Sequence, residues 1–250
     1  MNDHDALLRA IGDHPEEDTP RLVYADWLEE NGDPDRAAFV RNQVELARVG
    51  LNSPDRAPLV RTNLRYLLEF VPHWRSLLPH LPGVSWGDFN RGLIEEVQGT
   101  SEEPIVKHVE AVFAVPGIHI LRLTQFHHAR WLARLPELTR LRALRLVAAR
   151  ADAGVIRTLL GSDHLGRLAV LDLHGNYADD AVAADLADGR FPELAELWLG
   201  SNHVGNRGGA ALAASKHLTN LRLLDLRGNA INDPAARAAL RRRFGPALKL

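Results

Sequence analysis

The sequence contains no cysteine, which excludes disulfide bridges, thiolate metal sites and a cysteine nucleophile. It also lacks any run approaching the roughly 20 apolar residues that a helix needs to cross a bilayer. The phosphate-binding strings G-x-x-x-x-G-K-[ST] and G-x-G-x-x-G and the metal-binding string H-E-x-x-H are absent as well. These absences remove the commonest sequence signals of membrane proteins, nucleotide-binding enzymes and zinc hydrolases.

Charge is nearly balanced over the whole chain but not along it. The formal net charge is −2, yet residues 1–60 carry 13 acidic and 6 basic residues, whereas residues 61–250 carry 19 and 24. This balance offers no broad basic surface for nucleic acid or a membrane, and the asymmetry indicates two segments with different surfaces. The N-terminus, MNDHDALLRAIGDHPEED, lacks the basic start and apolar run of a signal peptide, so we expect a cytoplasmic protein.

The pattern L-x-x-L-x-L recurs through the second half of the chain. The first copy is the loosest, with Gly99 where a leucine belongs, and the copies begin at Ile94, Ile118, Leu141, Leu168, Leu194 and Leu221. Their fourth positions are separated by 24, 23, 27, 26 and 27 residues. Because leucines two residues apart point to the same side of a strand, each copy predicts a short strand with one apolar face.

An asparagine follows the second leucine by three residues in the last three copies, at Asn176, Asn202 and Asn229. A buried amide at this position can satisfy backbone groups of neighbouring turns, whereas two earlier copies carry Phe126 and Ala149 there. Between the strands, stretches such as DDAVAADLAD have the helical period. Each unit is therefore predicted to be a strand, a turn, a helix and a return loop, and stacked units share one core.

From about residue 90 onward the pattern resembles the leucine-rich repeat family, and the 26–27-residue copies are similar to its ribonuclease-inhibitor-like subclass. The resemblance implies an α/β solenoid with short parallel strands on a concave face and helices on the convex face. We therefore predict about six repeats over residues 90–235 and a capping helix over residues 236–250.

Residues 1–60 are predicted to form a small all-α domain of three helices. The first includes DALLRAIGDH, the second begins at Thr19 and Pro20, with Thr19 as a possible cap, and the third runs from near Pro34 to about Val49. The stretch LVYADWLEENGDPDRAAFVR resembles the bacterial repeat-companion domain that is found beside leucine-rich repeats. A linking helix, TNLRYLLEFVPHW, and a proline-rich turn are predicted for residues 61–89.

The acidic residues of this first segment offer carboxylates to a hard cation: Asp26, Glu29, Glu30, Asp33 and Asp35. A calcium loop needs glycine at its sixth position, and NGDPDRAAFVRN has none there. We therefore predict a solvated acidic face over a small helical core of Tyr24, Trp27, Leu28 and Phe39.

Three further strings could carry chemistry. The string Gly83-Val-Ser85-Trp-Gly87 matches the nucleophile elbow G-x-S-x-G, but PHLP stands where a buried strand should precede it, so we predict a turn. The pair His127–His128 lacks the further ligands of a metal site, and Arg241–Arg243 suit the negative end of a helix. The sequence therefore predicts no catalytic residue, cofactor or metal.

Position five of each copy lies between two inward leucines and so faces the opposite surface of the strand. Positions three, five and seven give the predicted contact residues, which run from an arginine pair to an aspartate–tryptophan–aspartate stripe: Arg122, Arg145, Asp172, His174, Glu196, Trp198, Asp225 and Arg227. Trp198 is predicted to be exposed between two carboxylates, which is the composition of an interface hot spot. The alternative is that it folds over Val170 and Leu223 as packing.

The predicted function is a non-catalytic module that binds a protein on the concave face of the repeats. The aspartates favour a partner with basic or apolar contact residues, and neither nucleic acid nor a membrane is expected. Two alternatives stay open. One is regulation of an enzyme, as a GTPase-activating or ubiquitin-ligase-like adaptor, which depends on fold analogy alone. The other is a function of the N-terminal helices, with the repeats as scaffold.

Overall fold

The structure, a computed structural model, describes residues 3–189 and 191–250. The chain divides into two compact units. The first consists of Met1–His80, Trp86–Glu96 and Glu110–His119, and the second of Leu81–Ser85, Val97–Val109 and Ile120–Leu250. Of the helices described, none is long and apolar enough to cross a membrane.

The elements follow one another in chain order. The α-helices are α1 (Asp3–Asp13), α2 (Thr19–Glu30), α3 (Pro34–Arg48), α4 (Arg56–Glu69), α5 (Val71–Ser76), α6 (Glu102–Lys107), α7 (Val109–Ala114), α8 (Ala129–Leu132), α9 (Ala153–Leu160), α10 (Asp180–Ala187), α11 (Asn206–Ala214) and α12 (Pro234–Phe244). The strands are β1 (Val84–Trp86), β2 (Phe89–Asn90), β3 (Leu93–Ile94), β4 (Glu96–Gly99), β5 (Ile120–Leu123), β6 (Ala143–Arg145), β7 (Val170–Asp172), β8 (Glu196–Trp198), β9 (Leu223–Asp225) and β10 (Leu248–Lys249).

The helices of the first unit begin close to the predicted positions. Asp33 caps α3, because its Oδ1 accepts the backbone N–H of Arg36 at 3.1 Å. Thr19, the predicted cap of α2, is instead its first helical residue, and Asp18 precedes it without a side-chain capping bond. The Asp18 carboxylate binds Arg48 instead, at 2.8 Å. The N-terminus of α2 thus relies on its proline rather than on a side-chain cap.

The linking segment differs from its prediction. Two helices stand where one was predicted, because α4 ends before Phe70 and α5 begins at Val71, next to Pro72. The predicted boundary at residue 60 lies inside α4. The first unit also contains the antiparallel pair of β2 and β3, so residues 90–96, which the repeat alignment placed in the second domain, belong here.

Two clusters form the core of the first unit. Tyr24 and Leu28 belong to one of them, with Trp27 packed against it. Phe39 belongs to the other, where its ring meets that of Tyr66 edge-on at 5.6 Å. The four predicted core residues are therefore divided between two clusters, because Phe39 lies on the side of α3 that packs against α4.

Two of the acids considered as cation ligands are held by an arginine. Asp26 and Glu29 on α2 each bind Arg41 on α3 at 2.6 Å. These carboxylates join two helices at the surface, which is the ordinary role of a solvated acidic face.

The second unit is built on a sheet whose strands follow the order β1-β4-β5-β6-β7-β8-β9-β10. From β5 to β10 neighbouring strands are parallel, and one leucine of each strand pairs with that of the next: Leu121, Leu144, Leu171, Leu197, Leu224 and Leu248. The first five of these leucines are buried. The repeat spacing thus returns the chain to the same register at each turn, as the sequence predicts.

The sheet has two strands that the repeat pattern does not predict. β1 arises within the G-x-S-x-G string, where Ser85 is exposed and the next element is the short strand β2 rather than a helix, so the string is not a nucleophile elbow. β10 follows α12 and pairs with β9. The predicted capping helix over residues 236–250 is therefore a helix followed by an edge strand.

The helices of the second unit stack in the same order as its strands. α9, α10 and α12 each begin after an aspartate whose carboxylate accepts N–H groups of the first turn: Asp152, Asp179 and Asp233. α9 packs on α10, α10 on α11 and α11 on α12. Each repeat therefore adds one strand and one helix to two parallel layers.

The asparagine column links successive turns as predicted. Asn176, Asn202 and Asn229 each accept a backbone N–H and donate to backbone carbonyls of their own and a neighbouring turn. In the copies without asparagine, Phe126 and Ala149 are fully buried, and the Phe126 N–H donates to the Ala149 carbonyl at 2.9 Å. The earlier turns are thus joined by backbone bonds and apolar packing.

Candidate functional site

Position five of the strands forms a single row across the sheet. The pairing register places its members side by side, and we name them the strand-face row: Arg122, Arg145, Asp172, Trp198, Asp225 and Lys249. The sequence predicts the first five in this order. It misses Lys249, because the two-residue strand that carries it lies beyond the last leucine pattern.

Trp198 is half-buried, whereas the sequence predicts an exposed side chain. Its Nε1 donates to Glu196 Oε2 at 3.2 Å. The Nζ of Lys249 lies 4.9 Å from the centre of the indole ring, within the range of a cation–π interaction. The chain itself therefore covers part of the indole, and the contacts come from its own strand and from β10.

The aspartates of the row have a structural role that the prediction did not include. Asp172 Oδ1 accepts the N–H of His174 at 3.0 Å, and Asp225 Oδ1 accepts that of Arg227 at 3.0 Å. A carboxylate that bonds the N–H two residues on forms an Asx turn, which ends the strand. In the tryptophan copy Gly200 stands two residues on, and a Cβ there would lie 2.6 Å from His174 Nδ1. The glycine therefore leaves room for the neighbouring imidazole.

Asp225 is buried, with 1% of its surface exposed, whereas the prediction placed it in contact with a partner. The Arg227 Nε donates to both of its carboxylate oxygens, at 3.0 and 3.1 Å. Burial alone raises the pKa of Asp225, but the hydrogen bonds and charge of Arg227 outweigh it and hold the pKa below 3.8. Asp225 is therefore an internal ion-pair partner rather than a free acid.

This pair predicts a pH dependence. Because the folded-state pKa of Asp225 is lowered, its contribution to stability is present well above pH 3.8 and is lost as the pH falls through the lower folded-state pKa. Arg227→Ala should raise the pKa of Asp225, and NMR titration of the side-chain carboxyl carbon measures it. Arg222→Ala, at an exposed arginine of the same repeat, is the control. A pKa of Asp225 that Arg227→Ala leaves unchanged contradicts this account.

Cations lie toward both ends of the strand-face row, and the charge of Arg227, two residues after the row, is offset by buried Asp225. Arg122 and Arg145 lie at one end, Arg122 exposed and Arg145 half-buried. Arg227 and Lys249 lie at the other, both exposed. The acids that keep some exposure near the centre are Asp172 and Glu196.

The histidine pair and the arginine run each make hydrogen bonds within the second unit. The backbone N–H groups of His127 and His128 donate to the carboxylate of buried Glu102, at 3.3 and 2.9 Å. Arg243 donates to the Ser215 carbonyl at 3.3 Å. Within residues 3–189 and 191–250, no three His, Asp or Glu side chains are arranged to hold a metal ion.

Three comparisons with known proteins give a family match and a similar structure. A family model described as a leucine-rich repeat matches residues 217–238, which contain β9 and Asn229. None of the curated proteins matches the sequence. Among solved structures, an internalin from Listeria monocytogenes is similar at 21% identity and a TM-score of 0.39, and the match covers 58% of this chain and 36% of that chain. Residues 217–238 thus match a leucine-rich repeat, and strands β5–β9 pair in one continuous register up to and within this segment.

Proposed function

We propose that the protein is a non-catalytic protein-binding module whose partner lies on the strand-face row. The observation that carries the proposal is Trp198, an indole on the side of the sheet opposite to the buried leucines. Leu197 and Leu199, on either side of it, are fully buried, so the core is complete without the indole. A partly exposed tryptophan within a rim of charged groups is typical of an interface hot spot.

The charges around Trp198 favour particular contacts from the partner. Lys249 lies over the indole, and Arg227 is exposed beside it in the next repeat. Both are cations that keep hydrogen-bond donors for acceptor groups. We therefore propose a partner with an apolar side chain against the indole and with carboxylate or carbonyl oxygens for Lys249 and Arg227. The sequence favours basic or apolar contact residues on the partner; we keep the apolar contact and replace the basic one, because Asp225 is covered.

The test compares two tryptophans of the second unit. Trp198→Ala should weaken the complex by about 2 kcal/mol, or roughly thirtyfold in Kd, because a hot-spot contact is removed. Trp131→Ala is the matched control, since Trp131 is 61% exposed on α8. The partner is captured from a lysate of the source organism with tagged wild-type protein and identified by mass spectrometry. Its Kd is then measured by calorimetry for both variants.

Each outcome decides a specific point once circular dichroism shows that both variants fold. Loss of affinity with Trp198→Ala alone supports the strand-face row. Equal affinity in both variants and the wild type removes Trp198 from the interface. Loss with Trp131→Ala alone moves the interface to α8.

A further inference from the structure

The first unit contains a pocket that the proposed function does not use. Its volume is about 190 Å³, and its walls are mostly apolar, with Tyr24, Trp74, Phe89, Leu93 and Val115 among them and Arg36 as the cation. An apolar cavity of about 150 Å³ is large enough to hold benzene. This pocket therefore admits one aromatic ring.

The Arg36 guanidinium lies over the rings of Trp74 and Phe89 at the pocket wall. The carbon of its guanidinium lies 4.5 Å from the ring centre of Trp74 and 4.5 Å from that of Phe89. The two rings are themselves 6.2 Å apart and steeply inclined to each other, at 70°. One guanidinium nitrogen, Nη2, donates to the Gly92 carbonyl at 3.2 Å. These contacts fix the orientation of the cation and leave further N–H groups for a ligand.

The charge of Arg36 has no close counter-charge in the described part of the unit. No carboxylate oxygen there lies within 4.0 Å of the guanidinium. Asp33, at the start of the same helix, uses its Oδ1 to cap the helix. Burial lowers the pKa of Arg36, and the charge of Asp33 offsets this only in part. A desolvated cation without an anion is unfavourable, so an anion that enters the pocket is attracted to it.

We infer that the pocket binds a small aromatic carboxylate, whose carboxylate group pairs with Arg36 and whose ring lies against the apolar walls formed by Leu78, Leu93 and Val115. The guanidinium fork matches the two oxygens of a carboxylate. The apolar walls favour an organic acid over inorganic phosphate, which has no apolar surface to bury. The cation favours the acid over a neutral ring of the same shape.

The first test uses the unmodified full chain and calorimetry. Benzoate is expected to bind with a Kd of about 1 mM or tighter. Benzamide, which has the same ring without the charge, should bind about tenfold more weakly or worse, and inorganic phosphate should not compete with benzoate. Equal binding of benzamide, competition by phosphate, or no binding of benzoate overturns the assignment.

The second test locates the ligand with variants. Arg36→Gln should weaken benzoate about tenfold or more, because the paired charge is lost. The matched control is Arg41→Gln on the same helix, since Arg41 binds Asp26 and Glu29 instead. Trp198→Ala should bind benzoate as the wild type does, which separates this site from the proposed protein interface. An equal loss in Arg36→Gln and Arg41→Gln, or no loss in either, overturns the proposal.

Arg36→Gln removes a packed side chain and could prevent folding, so a second variant tests the ligand position independently of Arg36. Leu78→Phe narrows the pocket without changing its charge, since Leu78 is one of the lining residues. It should weaken benzoate in the same direction. An unchanged Kd in a folded Leu78→Phe protein overturns the placement of the ligand in this pocket.

Discussion

Glu95→Ala should lower the free energy of unfolding of the first unit by about 3–5 kcal/mol, because it leaves Arg21 buried without its counter-charge. Arg21 is 0% and Glu95 3% exposed, and an Nη2–Oε1 hydrogen bond joins them. The other oxygen of Glu95 accepts from Asn90 Nδ2. After the substitution Arg21 keeps its bond to the Pro15 carbonyl, at 2.9 Å, whereas its Nε and Nη1 have no partner among residues 3–189 and 191–250 even in the intact protein.

The double variant Arg21→Met with Glu95→Leu tests the cause. Replacing both charges by apolar groups should recover most of the loss, because the cost arises from the unpaired charge rather than from missing volume. Arg48→Ala is the control, since it breaks the more exposed pair with Asp18 and should cost about 1 kcal/mol or less. Hydrogen exchange of α2 in urea measures the first unit by itself. A double variant no more stable than Glu95→Ala contradicts this explanation.

The sequence predicts the repeat stack well because its signal is periodic. Two leucines return every 23–27 residues, an asparagine follows them in the last three copies, and the strands pair in the register that this spacing implies. Lys249 has no such signal, since its strand is two residues long and follows a helix. The partners Arg21 and Glu95 are 74 residues apart, so only the folded chain shows that they meet.

Asp225 shows that strand alternation alone does not predict whether a side chain is exposed. Alternation places position five on the face opposite to the leucines, but it does not predict which groups the carboxylate then contacts. In the structure the side chain turns back to the N–H of Arg227 and becomes buried. An aspartate before L-x-G-N at a strand end is an available sequence signal for an Asx turn, and it applies to Asp172 as well. The residues of the row therefore lie in the order that the sequence predicts, but the carboxylate of Asp225 is not accessible to a partner.

Asn202→Ala is expected to lower the free energy of unfolding of the second unit by about 3 kcal/mol, because buried backbone groups lose their partners. Asn202 is 5% exposed. Its Oδ1 accepts the Ala178 N–H at 2.9 Å, and its Nδ2 donates to the carbonyls of Leu173 and Leu199, at 2.8 and 3.0 Å. Alanine supplies none of these bonds.

The position of the asparagine in the stack should set the size of the loss. Asn229→Ala should cost less than Asn202→Ala, since Asn229 is only half-buried and water reaches the groups that it leaves. Asn232→Ala, at an exposed asparagine outside the column, should change stability by about 0.5 kcal/mol or less. Urea unfolding followed by circular dichroism ranks the three variants. A loss for Asn202→Ala no larger than that for Asn232→Ala means that the leucine layer, and not the amide column, holds successive turns together.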